Sequence, residues 1–82
     1  MSETRETVVR LVAEATGRDP ADIDDASRLA EDLRLKSANR IELSVLLGEE
    51  LGVEVPVFDV LRSKTVGDLV ARIEGLRAGA PA

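Results

Sequence analysis

Eighty-two residues leave room for one domain with a small core. The chain has no Cys, His, Trp or Tyr and a single Phe, which excludes a disulfide framework, a thiolate zinc site and a triad built on a histidine base. Sixteen acidic against eleven basic residues give a formal net charge of −5, a poor match to DNA or RNA and a fair one to a partner with a basic docking patch, or simply to solubility.

The first predicted helix runs from Glu3 to Ala15, with Val8, Leu11, Val12 and Ala15 at helical spacing and Gly17 and Pro20 behind it as stops. A long connection, Gly17 to Lys36, follows. It is rich in Asp, yet Ile23, Leu29, Leu33 and Leu35 recur along it. A structureless loop of that length is uncommon in a compact domain and usually functional. The four apolar residues are expected to pin it onto the bundle. Asp19, Asp22, Asp24 and Asp25 lack the glycine and closing glutamate of an EF-hand loop.

The second helix is predicted over Ser37 to Leu51. Ser37 reads as its N-cap, Leu43, Leu47 and Leu51 form an apolar row four residues apart, and Gly52 closes it. Ala38, Ile41, Glu42, Val45 and Glu49 share the opposite face. That face mixes branched apolar residues with acids, more than an ordinary solvated surface needs. A short helix is expected over Val57 to Leu61, with Phe58 and Leu61 in the core; cargo-lining and docking are the other uses of its apolar residues. The alternation from Val53 to Val57 is too short, and too interrupted by Pro56, to predict a strand. The last helix opens at Thr65, which with Asp68 resembles a capping box, and continues through Val66, Leu69, Val70, Ile73 and Leu76. Residues 77–82 are expected to form a disordered tail. The expected architecture is all-α: a four-helix bundle of three main helices and one short one, in a single domain spanning 1–82.

No stretch is apolar enough to cross a bilayer, and MSETRETVV at the start is unlike a signal peptide, so a cytoplasmic location is expected. No nucleophile–base pair or metal cluster is evident, so an enzyme is not expected.

The stretch from Ser27 to Leu43 resembles the attachment segment of acyl carrier proteins. There an Asp-Leu-Gly-x-Asp-Ser-Leu run leads into a helix continuing x-x-Val/Ile-Glu-Leu. Asp32, Leu33, Ser37, Ile41, Glu42 and Leu43 fall on those positions in order. Glu49-Glu50-Leu51, Val55-Pro56 and Thr65-Val66 match later elements at the same spacing, so the resemblance covers roughly residues 5 to 75. It departs at Arg34 for Gly, Lys36 for Asp and Ala38 for Leu.

The resemblance implies that Ser37 takes 4'-phosphopantetheine from coenzyme A through a phosphopantetheinyl transferase. The arm then holds acyl groups as thioesters, shuttled between enzymes of fatty acid or polyketide type. Acyl-loading and ketosynthase-type partners with basic patches would dock on Ala38, Ile41, Glu42, Val45 and Glu49. A monomer is expected, with no nucleic-acid or membrane partner. Lys36 in the first turn opposes the helix dipole; it is either a tolerated surface residue or a contact for the added phosphate, with Arg34 or Arg40 assisting. The alternative function is an unmodified helical interaction module.

Overall fold

The structure, a computed structural model, describes residues 2–79. Four α-helices, α1 (Glu3–Thr16), α2 (Ser37–Leu51), α3 (Val57–Arg62) and α4 (Val66–Arg77), and one 3₁₀ turn (Pro20–Asp22) make up its regular structure. α2 packs on α1 and α3, and α4 on α1 and α3. Among the described residues there is no strand, only an isolated antiparallel bridge between Arg28 and Thr65.

The long helices bury most of the stripe that their spacing prescribes, but Ala15 of α1 is exposed and Ala13 is buried in its place. Val8, Leu11 and Val12 of α1, Leu43, Leu47 and Leu51 of α2, and Val66, Leu69, Val70 and Ile73 of α4 are all buried. Leu76 is only half-buried. α1 starts on the Ser2 hydroxyl, which accepts from the Arg5 backbone N–H at 2.9 Å. α2 ends at Gly52 with φ 66°, a left-handed conformation that a side chain would strain.

The 17–36 connection is pinned by the apolar residues expected to anchor it. Ile23, Leu29, Leu33 and Leu35 are all buried, and full burial of one such side chain stabilises by about 1.5–3 kcal/mol. Its turns are closed by aspartates: Asp19 and Asp24 accept from the Ala21 and Ala26 backbone N–H groups, each at 2.9 Å. Three backbone bonds then fasten it to the start of α4: Leu29 N–H to Lys64 C=O (2.9 Å), Val66 N–H to Ser27 C=O (3.0 Å) and Gly67 N–H to Asp25 C=O (3.0 Å). The last favours a glycine, because a Cβ on residue 67 would lie 3.1 Å from the Cβ of Asp25 and 3.2 Å from its carbonyl oxygen, so Asp25 would have to give by a few tenths of an ångström.

Two expectations are corrected. Phe58 is not in the core but 71% exposed. α3 has only six residues, so few of its positions face inward; Val60 fills one at 0% exposure. Phe58, two residues earlier, lies more than half a helical turn away. Leu61 is half-buried rather than central. The tail, in turn, does not begin at residue 77. Arg77 is the last residue of α4 and donates to the Thr4 hydroxyl (2.9 Å) and Glu3 Oε1 (3.0 Å), tying α4 to α1. Residues 80–82 of the expected tail lie outside the described residues.

Candidate functional site

The loop delivers the chain to the start of α2 through a tightly bonded turn. Asp32 Oδ2 accepts from the Arg28 backbone N–H at 2.8 Å, and the Asp32 and Leu33 N–H groups return to the Arg28 carbonyl at 3.0 Å each. Leu35 N–H donates to Leu29 C=O at 2.9 Å. The Arg28 backbone N–H, and secondarily its guanidinium, hold the Asp32 carboxyl below the usual carboxylate range. Between the buried Leu33 and Leu35, Arg34 has φ 60°. An L-residue in this region costs about 1–2 kcal/mol. This is the position where the resembled segment has glycine, so the departure at Arg34 carries backbone strain beside the site.

Ser37 was expected as the N-cap of α2. Instead it is already helical, and Lys36, with φ −86° and ψ 167°, stands at the cap. A lysine side chain has no acceptor, so it cannot cap. One bond at this end comes from Asn39, whose Oδ1 accepts from the Lys36 N–H at 3.2 Å. The first helical bond runs from Arg40 N–H to Lys36 C=O at 3.0 Å. Among the described residues, the N–H groups of Ser37, Ala38 and Asn39 have no acceptor in the protein, and the Ser37 hydroxyl has no partner. Ser37 is exposed, as are Lys36 and Ala38. An accessible hydroxyl beside unpaired N–H groups at the positive end of a 15-residue helix suits an added phosphodiester. The residues present therefore fit a phosphopantetheine group.

Ile41 (46%), Val45 (56%), Glu42 and Glu49 lie exposed down one side of α2. Neither glutamate forms an ion pair among the described residues, whereas nearby Glu50 is held by Arg10 at 2.7 Å. Val45 and Glu49 form one wall of a groove of about 450 Å³, with Val53, Glu54 and Val57 opposite. Leu46 (38%) and Phe58 (71%) are also exposed apolar residues and were not among the expected docking residues. Nothing in the periodicity marks Leu46, which sits beside the buried row.

A second groove, of about 490 Å³, opens between the loop, α2 and the end of α3. It is lined by Arg28, Glu31, Arg40, Leu61, Arg62 and Lys64, among others. Arg28 is paired with Glu31 and Asp32. Arg40, Arg62 and Lys64 have no carboxylate within ion-pair distance among the described residues. The Arg62-Ser63-Lys64 run just before Thr65 was the sequence signal for this cluster, but it gains meaning only when folding brings Arg40 beside it. No cluster of residues able to hold a metal ion occurs among the described residues, and no described helix is long and apolar enough to cross a membrane.

Comparison with known proteins agrees with this geometry. Residues 6–73 match the family described as "Phosphopantetheine attachment site". The acyl carrier protein of Rhodococcus erythropolis is 34% identical over 82 residues, covering 95% of this chain and 90% of that one. The meromycolate extension acyl carrier protein of Mycolicibacterium smegmatis is 29% identical over 85 residues, covering 99% and 86%. The acyl carrier protein of Rickettsia typhi is 34% identical over 67 residues, covering 82% and 78%.

Proposed function

Because this chain belongs to the phosphopantetheine-attachment family of acyl carrier proteins, we propose that Ser37 is the residue that receives the arm. The protein is a carrier, not an enzyme: it holds acyl groups on 4'-phosphopantetheine for enzymes of fatty acid or polyketide type. The bound group supplies a thiol that forms thioesters. Everything else falls to the chain's own residues. The buried loop residues fix where α2 begins, the uncapped first turn leaves N–H groups for a phosphate, and the exposed hydroxyl faces an incoming transferase.

The observation that carries the assignment is the Ser37 hydroxyl, exposed and without a protein partner at an unfinished helix start. Mass spectrometry after incubation with coenzyme A and a broad-specificity transferase should show one phosphopantetheine added, and none on Ser37→Ala. Addition to the variant, or no addition to the native chain with several transferases, overturns it.

Lys36 is the proposed contact for the added phosphate, with Arg34 and Arg40 in reserve. Cations this near the serine would be poorly placed without an anion and well placed with one. Ala38, Ile41, Glu42, Val45 and Glu49 form the proposed face for the transferase and for biosynthetic enzymes with basic patches. Complementary charge there would speed encounter. The transferase's kcat/KM should fall as salt rises, and more steeply for native protein than for Glu42→Gln with Glu49→Gln; equal slopes would remove these two acids from the docking face. A monomeric, cytoplasmic protein completes the proposal.

A further inference from the structure

Apart from Arg40, held in reserve for the phosphate, the residues of the basic groove have no part in the proposed attachment or in docking through the acidic face. Three cations, Arg40, Arg62 and Lys64, converge on it without carboxylate partners, in a chain whose net charge is −5. Arg40 Nε is shielded from solvent and has no hydrogen-bond partner. A shielded donor of this kind is costly unless an acceptor reaches it. Arg72 Nε is likewise without a hydrogen bond, but Asp68 Oδ1 lies 3.5 Å from it, so its charge is answered within the protein. Among the described residues no such answer exists at Arg40.

The groove's remaining surface includes the Ala30 and Leu61 side chains, so cations rim an apolar strip. Its near wall, Arg40, lies three residues after Ser37, one turn along the same helix flank.

From these observations we propose that the groove lined by Leu61 and rimmed by Arg40, Arg62 and Lys64 binds the free carboxylate of a short dicarboxylic acyl group carried on the protein's own arm. The inference rests on Ser37 being the attachment residue. Leu61 and Ala30 contact the methylene segment, and the guanidinium and ammonium groups take the carboxylate. Tethering makes a weak site sufficient, because a ligand on a short flexible linker sees an effective concentration on the order of millimolar. Neutral acyl groups of equal length lack the anion that the cluster requires.

The test compares protein loaded with succinyl, butyryl or no acyl group on the arm. It reads the Arg40 Nε–H and the backbone amides of Arg62, Ser63 and Lys64 by NMR. Intact mass, measured first, reports attachment separately. Succinyl alone should shift these signals, more strongly at low salt, and Arg62→Gln with Lys64→Gln should at least halve the shift. Both side chains are exposed and unpaired, so this variant is expected to fold. Equal shifts for succinyl and butyryl overturn the proposal. Full shifts with the unacylated arm also overturn it, because the groove would then be reading the arm's phosphate. Should mass show no attachment at Ser37, the same signals are followed while free succinyl-pantetheine or butyryl-pantetheine is titrated into the unmodified chain. Succinyl-selective shifts there support the groove even though the attachment assignment has failed, and no selectivity rejects both.

Discussion

The starts of α2 and α4 have opposite finishes. At α4 the Thr65 hydroxyl accepts from the Asp68 N–H at 3.0 Å, and the Asp68 carboxylate accepts from the Lys64 N–H at 3.0 Å. An acidic first turn complements the helix dipole there. At α2 the cap position holds a lysine, the first turn has no acid, and the hydroxyl nearest the N–H groups belongs to a residue already inside the helix. The Thr65 hydroxyl is spent on structure, whereas the Ser37 hydroxyl is left over. A helix start can be completed by its own side chains or left open for a group supplied later, and on the proposed assignment of Ser37 this chain has one of each.

Substitutions that exchange these conditions break or sharpen the contrast. The largest effect is on modification: Ser37→Ala should abolish phosphopantetheine attachment while leaving the urea midpoint of the unmodified protein nearly unchanged, since no hydrogen bond is lost. A large drop in the midpoint would mean that the hydroxyl is structural after all.

Next comes a mirror pair. Lys36→Asp supplies the missing cap and removes an opposing charge, so it should stabilise the unmodified protein by about 1–2 kcal/mol. Thr65→Ala should cost about 1 kcal/mol. Chemical denaturation checks both. Native protein should also gain more in Tm on modification than Lys36→Asp does, and equal gains would remove Lys36 as a phosphate contact.

Arg34→Gly relieves the left-handed residue on the approach to α2. It should stabilise by up to about 1 kcal/mol, the relief being partly offset by the extra freedom of glycine in the unfolded chain. No gain would show that the strain is compensated by the arginine's own contacts.

The smallest effect is in acid. Asp32, beside the Arg28 N–H, and Asp25, hydrogen-bonded to Arg5, are both held below their ordinary pKa. Such groups contribute stability that is present in full above the unfolded carboxylate pKa of about 3.9 and lost as pH falls through the lower folded value. The urea midpoint should therefore be level near neutrality and decline below about pH 4. Asp32→Asn should show a shallower decline, and an unchanged one would mean that this carboxylate does not contribute to the acid response.

Much of this arrangement was legible in the sequence where one periodicity acted alone. The leucine row and Gly52 marked α2 over the residues it occupies, and four regularly placed apolar residues announced a pinned loop. What could not be read depended on single-residue geometry. Ser37 missed the cap by one position because residue 36 keeps extended dihedrals, and nothing in the identity of a lysine announces that. The exposure of Phe58 follows from the shortness of α3, where hydrophobicity gives no phase. Arg34 was visible only as a departure from a resembled glycine; its positive φ gives that departure a physical meaning. The basic groove needed tertiary folding to bring Arg40 to the Arg62–Lys64 segment.

The three backbone bonds that fasten residues 25–29 to residues 64–67 have a mechanical consequence. A carrier is repeatedly gripped and released, and tension applied at residue 37 would otherwise peel the connection outward from its anchors. These bonds would share such a load and pass it to α4, so the proposed attachment point could be pulled without unravelling the segment that leads to it. In hydrogen exchange, the amides of Leu29, Val66 and Gly67 should open together, as one latch.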